Sequence, residues 1–253
     1  FEILFLRGLL ATGALIMMCW YLNALQWRHS ARDWSLMIAR SGSEIAAAYF
    51  FLTALLHMPI ANVTAILQTL PLTVSLGGVL FFKNPIGWRR LLAILIGFGG
   101  MMLIVRPGSD GFDIYSIYVL IAVLCVTVRD LTTRAMSKSV PSLFVTLLAS
   151  LSVTVYSGIM VIGAEFTPMT STDQAYLIAS AIFIIGGYAF SVLVMRVGDI
   201  SFVALFRYSA VIWTLLIGFW VFGDWPDELT LLGAAIIALS GGYTMLREAR
   251  IKR

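Results

Sequence analysis

Glu44 stands about eight residues inside an otherwise apolar run, 36–57, with Arg40 four positions before it. An acid and a base at that spacing share one face of a helix, so an internal ion pair is available. An ionised side chain at the centre of a membrane helix costs roughly 2.5–3.5 kcal/mol on insertion scales, and it therefore needs a partner or water. In such a setting Glu44 can bind an amine or carry a proton. The bland alternative is that Arg40 snorkels to the cytoplasmic surface while Glu44 only satisfies neighbouring helices. Arg207, seven residues into the run 200–222, is the second candidate. Its guanidinium suits a carboxylate or phosphate, or else it pairs with Glu44 to hold a bundle together.

Lesser polar groups extend this pattern. Asn62, Thr69 and Thr73 recur at steps of seven and four, a stripe down one helix face of the run 60–82, and Gln68 lies at the depth that corresponds to Arg207. Thr146, Ser150 and Ser157 make a similar stripe, for which bonding across helices or back to carbonyls is the plainer reading. Arg129, Asp130 and Arg134 cluster near a helix end, where paired and snorkelling charges are ordinary. Pro71, in the middle of its run, removes a backbone hydrogen bond and predicts a kink and a gating hinge. Arg7, near the outer end of the first run, is a gate or an interface anchor. Of seven tryptophans only Trp213 lies mid-run, where it suits stacking on a flat substrate; the other six fall near run ends.

Catalytic chemistry finds little support. The two histidines, His29 and His57, have no second ligand at metal spacing, and no glycine loop with lysine is present to cradle ATP. Asp130 is the lone acid of its run, whereas an intramembrane prenyl-transfer enzyme wants aspartate-rich clusters for magnesium. Neither a metal nor a cofactor is expected. An intramembrane enzyme acting on a lipid-like substrate remains the alternative to a transport function.

The elements that must position these residues are membrane helices. Hydrophobic residues make up 60% of the chain and charged ones 12%, with a mean hydropathy of +0.94, far from the mix of a water-soluble domain. Apolar runs occur at 4–24, 36–57, 60–82, 90–105, 115–134, 142–163, 175–196, 200–222 and 230–247. Each is near the ~20 residues that cross a hydrocarbon core, and the alternating short strands of a membrane barrel are absent from the pattern. Breaks at 25–35, 83–89 and 134–141, and the tail with Arg247, Arg250, Lys252 and Arg253, are basic; the intervening breaks are acidic or neutral. That alternation puts the carboxyl terminus in the cytoplasm and residue 1 outside. The net charge of +4 is thus a topology signal, with no case for nucleic-acid binding. Cys19 and Cys125 both lie inside runs, so no disulfide framework is expected.

The two halves of the chain can be overlaid at an offset of about 140 residues. Ile60 through Asn84 lies over Ile200 through Asp224, Gly78 falls on Gly218, Tyr49 on Tyr188, and Gly99-Gly100 on Ser240-Gly241. The second half holds five runs and the first holds four, so the expectation is two repeats, 1–108 and 115–248, the first lacking an amino-terminal helix. Five is odd, hence the repeats enter the membrane from opposite sides. Inverted repeats with a site at their midplane interface are a recurring transporter design. The glycine and alanine rows Gly97-Gly99-Gly100 and Ala234-Ala238-Gly242 allow close helix contact, within one bundle or across a homodimer.

The segment Leu55-Leu56-His57-Met58-Pro59-Ile60-Ala61-Asn62-Val63-Thr64-Ala65-Ile66-Leu67-Gln68, the Gly97–Gly100 cluster and Phe222-Gly223-Asp224 resemble the EamA family of the ten-helix drug/metabolite transporter superfamily, over essentially the whole chain. Where that family typically has Gly-Glu, this chain reads Lys83-Asn84 and Gly223-Asp224, a departure at the first position. The resemblance implies an all-α polytopic protein of a bacterial inner membrane that moves a small organic metabolite by secondary transport. Riboflavin and S-adenosylmethionine uptake carriers are similar members, and import and export both remain open. The expected substrate site gathers Glu44, Gln68, Tyr188, Arg207, Asn62, Thr69 and Trp213, with Glu44 either binding an amine or carrying a coupling proton, and the lipid bilayer is the chain's other partner.

Overall fold

A computed structural model of the protein describes residues 1–82, 88–105, 113–163, 169–197, 213, 216–223 and 225–251. Among the described residues the regular structure is entirely helical: α1 (Glu2–Tyr21), α2 (Ala31–Leu55), α3 (Ile60–Leu67), α4 (Leu70–Phe82), α5 (Trp88–Val105), α6 (Ile114–Ala135), α7 (Ser142–Met160), α8 (Ser171–Val197) and α9 (Glu228–Ile251), with a π-helical turn at Gly218–Phe222. Helix α1, helix α6, helix α7 and residues 171–196 of helix α8 are long and apolar enough to cross a membrane.

Polar caps start these helices where the apolar runs begin. Ser30 and Asp33 form a reciprocal cap on α2: the Ser30 hydroxyl donates to Asp33 Oδ2 at 2.8 Å, and the Asp33 N–H donates back to Ser30 Oγ at 3.1 Å. Thr170 and Asp173 do the same at the head of α8. Asp113 accepts from the Tyr115 N–H and Asp227 from the Thr230 N–H, which satisfies donors that the first turns of α6 and α9 leave open. Beyond the end of α1 the chain turns at Asn23, whose φ of 51° is left-handed; the Ala24 N–H reaches back to Cys19 O and the Asn23 N–H to Trp20 O. Gly223, at φ 71°, supplies the same left-handed turn after the π-helical segment, which is why glycine stands in Phe222-Gly223-Asp224.

The chain packs as two units, one of residues 1–45 with 132–198, the other of 46–131 with 199–253. These units differ from the sequence halves, since each draws helices from both. In the first, α1 lies along α7, and Thr12 joins hydroxyls with Ser150 at 2.8 Å and Thr154 at 3.0 Å. Gly8 makes that approach feasible, because a Cβ there would stand 3.2 Å from Thr154 Cβ. Leu15, Cys19 and Leu147 form one apolar cluster of this unit, and Met37, Phe144, Val145 and Val192 another.

In the second unit α5 and α9 run antiparallel in close contact. Gly97 meets Ser240, and Gly100 meets Gly233 so closely that a Cβ on either glycine would fall under 3.0 Å from the other's carbonyl oxygen. Small residues let backbones approach, and dispersion then replaces the hydrophobic drive that lipid cannot supply. The core around this seam includes Ile66, Leu72, Ile94, Val119 and Ile237. In the first unit, Ile182, Phe183 and Phe190 of α8 are largely exposed, as suits contact with lipid chains.

Candidate functional site

Helix α2 carries a charge pair, Arg40 and Glu44, and both members are buried. Arg40 is 2% exposed and Glu44 6%. Their closest approach, Arg40 Nη2 to Glu44 Oε2, is 3.7 Å, an ion-pair distance longer than a hydrogen bond. Arg40 Nη1 donates to Thr133 Oγ1 on α6 at 2.9 Å. The snorkelling alternative therefore does not describe Arg40, whose guanidinium is enclosed by protein. Two charges removed from water cost several kcal/mol each unless pairing and hydrogen bonds offset it; here the contact at 3.7 Å and the Arg40–Thr133 hydrogen bond contribute to that offset.

The second feature is a broken helix. Where the sequence reads as one kinked span at 60–82, the structure has α3 and α4 with a turn at Gln68-Thr69 between them. Pro71 is the physical reason: it has no N–H for the Leu67 carbonyl, and the Leu72 N–H turns to Thr69 O at 3.0 Å instead of to Gln68 O. The carbonyls of Leu67 and Gln68 thus lose their usual helical donors. The Gln68 N–H is shared between Thr64 O and Ala65 O, both at 3.2 Å, which tightens the end of α3. Gln68 itself is 3% exposed, and Asn62 Oδ1 is buried without a hydrogen bond among the described residues. In a bilayer, backbone irregularity of this kind is tolerated where it is enclosed by protein or lines a water-filled cavity.

The expected stripe of Asn62, Thr69 and Thr73 is interrupted by this turn. Thr69 Oγ1 donates to Ile66 O at 2.8 Å; Thr73 Oγ1 lies 3.0 Å from Leu70 O and 2.7 Å from Thr127 Oγ1 on α6. Glu44, Arg7 and Tyr188 belong to the first packing unit, and Asn62, Gln68, Thr69, Pro71 and Trp213 to the second. Arg7 and Tyr188 are half-buried, Pro71 is buried, and Trp213 is 64% exposed. Arg207 lies outside the described residues. The Thr146–Ser157 stripe follows its plainer reading: Thr146 and Ser157 donate to carbonyls one turn earlier, and Ser150 meets Thr12. Arg129 Nη2 and Asp130 Oδ1 pair at 2.9 Å, with Asp130 1% exposed.

Sequence reasoning passed over a clamp at the basic end of the first unit. Asp33 Oδ1 accepts the Ser137 N–H at 2.9 Å, and Arg196 of α8 donates to Ser137 O at 2.6 Å, to Ser142 Oγ at 2.9 Å and to Val140 O. The α6–α7 turn is thereby tied to two other helices. The Asp33 carboxyl sits below the usual carboxylate range, first because of the Ser137 N–H, with burial opposing and the Ser30 hydroxyl, the Ser137 side chain and His29 adding to the fall. A signal was available: Ser30 and Asp33 have the spacing of a cap, but the cross-helix reach of the second carboxylate oxygen leaves no mark on the sequence.

The model of the EamA-like transporter family matches this chain twice, over residues 1–106 and 113–244. A riboflavin transporter of Vibrio cholerae is 28% identical over 246 residues, 95% of this chain and 82% of that protein. A riboflavin transporter of Rhizobium johnstonii is 27% identical over 228 residues, covering 90% of this chain and 72% of its own length. An S-adenosylmethionine uptake transporter of Rickettsia bellii is 24% identical, over 71% of this chain and 61% of that protein. A protein of known crystal structure shares the fold, with a TM-score of 0.70 at 18% identity over 98% of this chain and 88% of that one.

Proposed function

This chain belongs to the EamA-like transporter family, and from that premise we propose that it is a multi-pass secondary carrier taking up a flat heteroaromatic metabolite of the riboflavin class by alternating access. The observation that carries the reading is the interruption between α3 and α4. A discontinuous membrane helix frees backbone carbonyls for a substrate, as in other carriers built from repeats. Here the Leu67 and Gln68 carbonyls are suited to accept an imide or amine N–H, while the Gln68 and Asn62 amides reach ring carbonyls. The riboflavin relatives align over 90% and 95% of this chain and the S-adenosylmethionine relative over 71%, which favours the former substrate class.

The remaining assignments complete the site. Thr69 supplies a hydroxyl acceptor, and Arg207 attracts an anionic group if the substrate carries one. Trp213, with most of its ring exposed, is the flat surface for stacking. Pro71 lets α3 and α4 swing about their turn, and Arg7 guards the outer end of α1. Glu44, held beside Arg40, takes the coupling proton. The carboxyl terminus lies in the cytoplasm, following the basic breaks.

Counterflow in proteoliposomes tests this. Vesicles loaded with riboflavin should accumulate labelled riboflavin and return it chemically unchanged; conversion to another compound would instead mark an enzyme. Gln68→Leu should reduce transport efficiency roughly 5- to 150-fold, the equivalent of about 1–3 kcal/mol for a buried substrate group left unpaired. Glu44→Gln should abolish gradient-driven uptake while leaving exchange intact. Loss of neither would remove Glu44 from the coupling role, and absence of counterflow with every metabolite of the class would remove the substrate assignment.

A further inference from the structure

On the outer side of the α5–α9 seam lies a cleft of ≈ 510 Å³. Its size is within the roughly 300–1,000 Å³ usual for small-molecule sites. Small residues create it: Ala93 and Ser240 form the floor at 4% and 7% exposure, and Gly97 brings the helices together beneath. Leu92, Ile96 and Leu239 rise as walls, between 50% and 75% exposed. From Trp88 to Ile96 the cleft follows two turns of α5, about 12 Å at 1.5 Å per residue, most of the way to the middle of a ~30 Å hydrocarbon core.

One end of the cleft is built differently. Trp88, Arg89 and Tyr243 line its mouth, and the Arg89 guanidinium carbon stands 5.3 Å from the Trp88 ring centroid. Because α5 and α9 are antiparallel, the start of α5 and the stretch of α9 around Tyr243 lie side by side there. In sequence Arg90 follows Arg89, and the residues after Tyr243 include Arg247, Arg250, Lys252 and Arg253 against the single acid Glu248. An apolar trough that ends in the Arg89 guanidinium and two amphipathic aromatics matches a phospholipid: acyl chain below, charged head above. Basic pockets between membrane helices are a known mode of anionic headgroup recognition.

We propose that this cleft binds one anionic phospholipid, its acyl chain lying between Leu92 and Leu239 and its phosphate held at Arg89. The lipid lies on the outer face of the α5–α9 pair and is distinct from the transported substrate. The inference needs the chain to span a bilayer, and it is independent of which metabolite is carried.

Native mass spectrometry of the full chain in detergent, titrated with phosphatidylglycerol or with phosphatidylcholine of the same acyl chains, provides the test. Phosphatidylglycerol should be retained at least five-fold more strongly than phosphatidylcholine. Arg89→Gln should erase that preference without loss of helicity by circular dichroism, and Arg89→Lys should keep most of it. Equal retention of the two lipids, or an unchanged preference in Arg89→Gln, would overturn the proposal. So would inorganic phosphate displacing phosphatidylglycerol, which would mean that the chain plays no part. A Leu239→Cys variant that cross-links to a second copy in vesicles would also overturn it, by giving the cleft to another protein molecule.

Discussion

Replacing Gly100 with alanine should loosen the α5–α9 seam, whereas the same change one residue earlier should not. A Cβ on Gly100 would stand 2.8 Å from Gly233 O and 2.9 Å from Ile236 Cγ2; one on Gly99 meets nothing within 4 Å. The first obstacle is a backbone oxygen, which cannot rotate aside, so the helices must part. Overpacking of this kind costs typically about 1–3 kcal/mol. Both substitutions gain the same ~0.5–1 kcal/mol of helix propensity, so the difference between the two variants isolates the steric cost. At about 2–4 °C per kcal/mol for a chain of this size, Gly100→Ala should melt roughly 2–12 °C below Gly99→Ala. Thermal unfolding of detergent-solubilised protein, followed by size-exclusion or tryptophan fluorescence, reads this directly. Equal melting temperatures would mean that the two backbones are not in contact, and the account of the seam would fail with them.

Two further outcomes follow from the buried charges. Arg40→Met should lower stability by about 3–5 kcal/mol by leaving Glu44 buried without its neighbouring cation, and Arg40→Met with Glu44→Gln should recover part of that loss; a double variant no better than the single one would refute the pairing. Because the Asp33 carboxyl is depressed, its contribution is complete above the ordinary carboxylate value of about 3.9 and is lost as pH falls through the lower folded value. Melting temperatures of the parent protein and Asp33→Asn should therefore converge on acidification below about pH 4; a constant gap down to pH 3 would contradict the Ser137 bond as its cause.

Membrane architecture was legible from hydropathy because a bilayer fixes helix length and forbids open backbone. The runs 142–163 and 115–134 emerge as α7 and α6 with small changes at their ends, which are set by Asp113 and Pro141. The interruption at Gln68-Thr69 was only half legible. Proline announces a lost hydrogen bond, but whether the helix bends or separates depends on how neighbouring donors regroup, and Leu72 choosing Thr69 is a three-dimensional event. Burial of Arg40 was hidden for a similar reason. Its long stem permits either a surface or an interior placement, and Thr133, 93 residues later, decides between them.

The fate of the hydroxyls narrows where transport chemistry can reside. Thr127, Thr146, Thr154 and Ser157 each donate to a carbonyl four residues earlier in their own helix, and Thr69 donates from the turn to Ile66 O of α3. Such bonds satisfy the hydroxyl hydrogen inside an apolar solvent and leave no donor for a passing solute. The side-chain amides of Asn62 and Gln68 carry two donors and an acceptor each, more than one helix turn can absorb. These two residues bracket the stretch that ends at the helix break, where backbone acceptors are also released. Among the described residues these two amides hold polar capacity beside the turn, and the proposed substrate, a metabolite with alternating donors and acceptors, is the kind of solute that would use it.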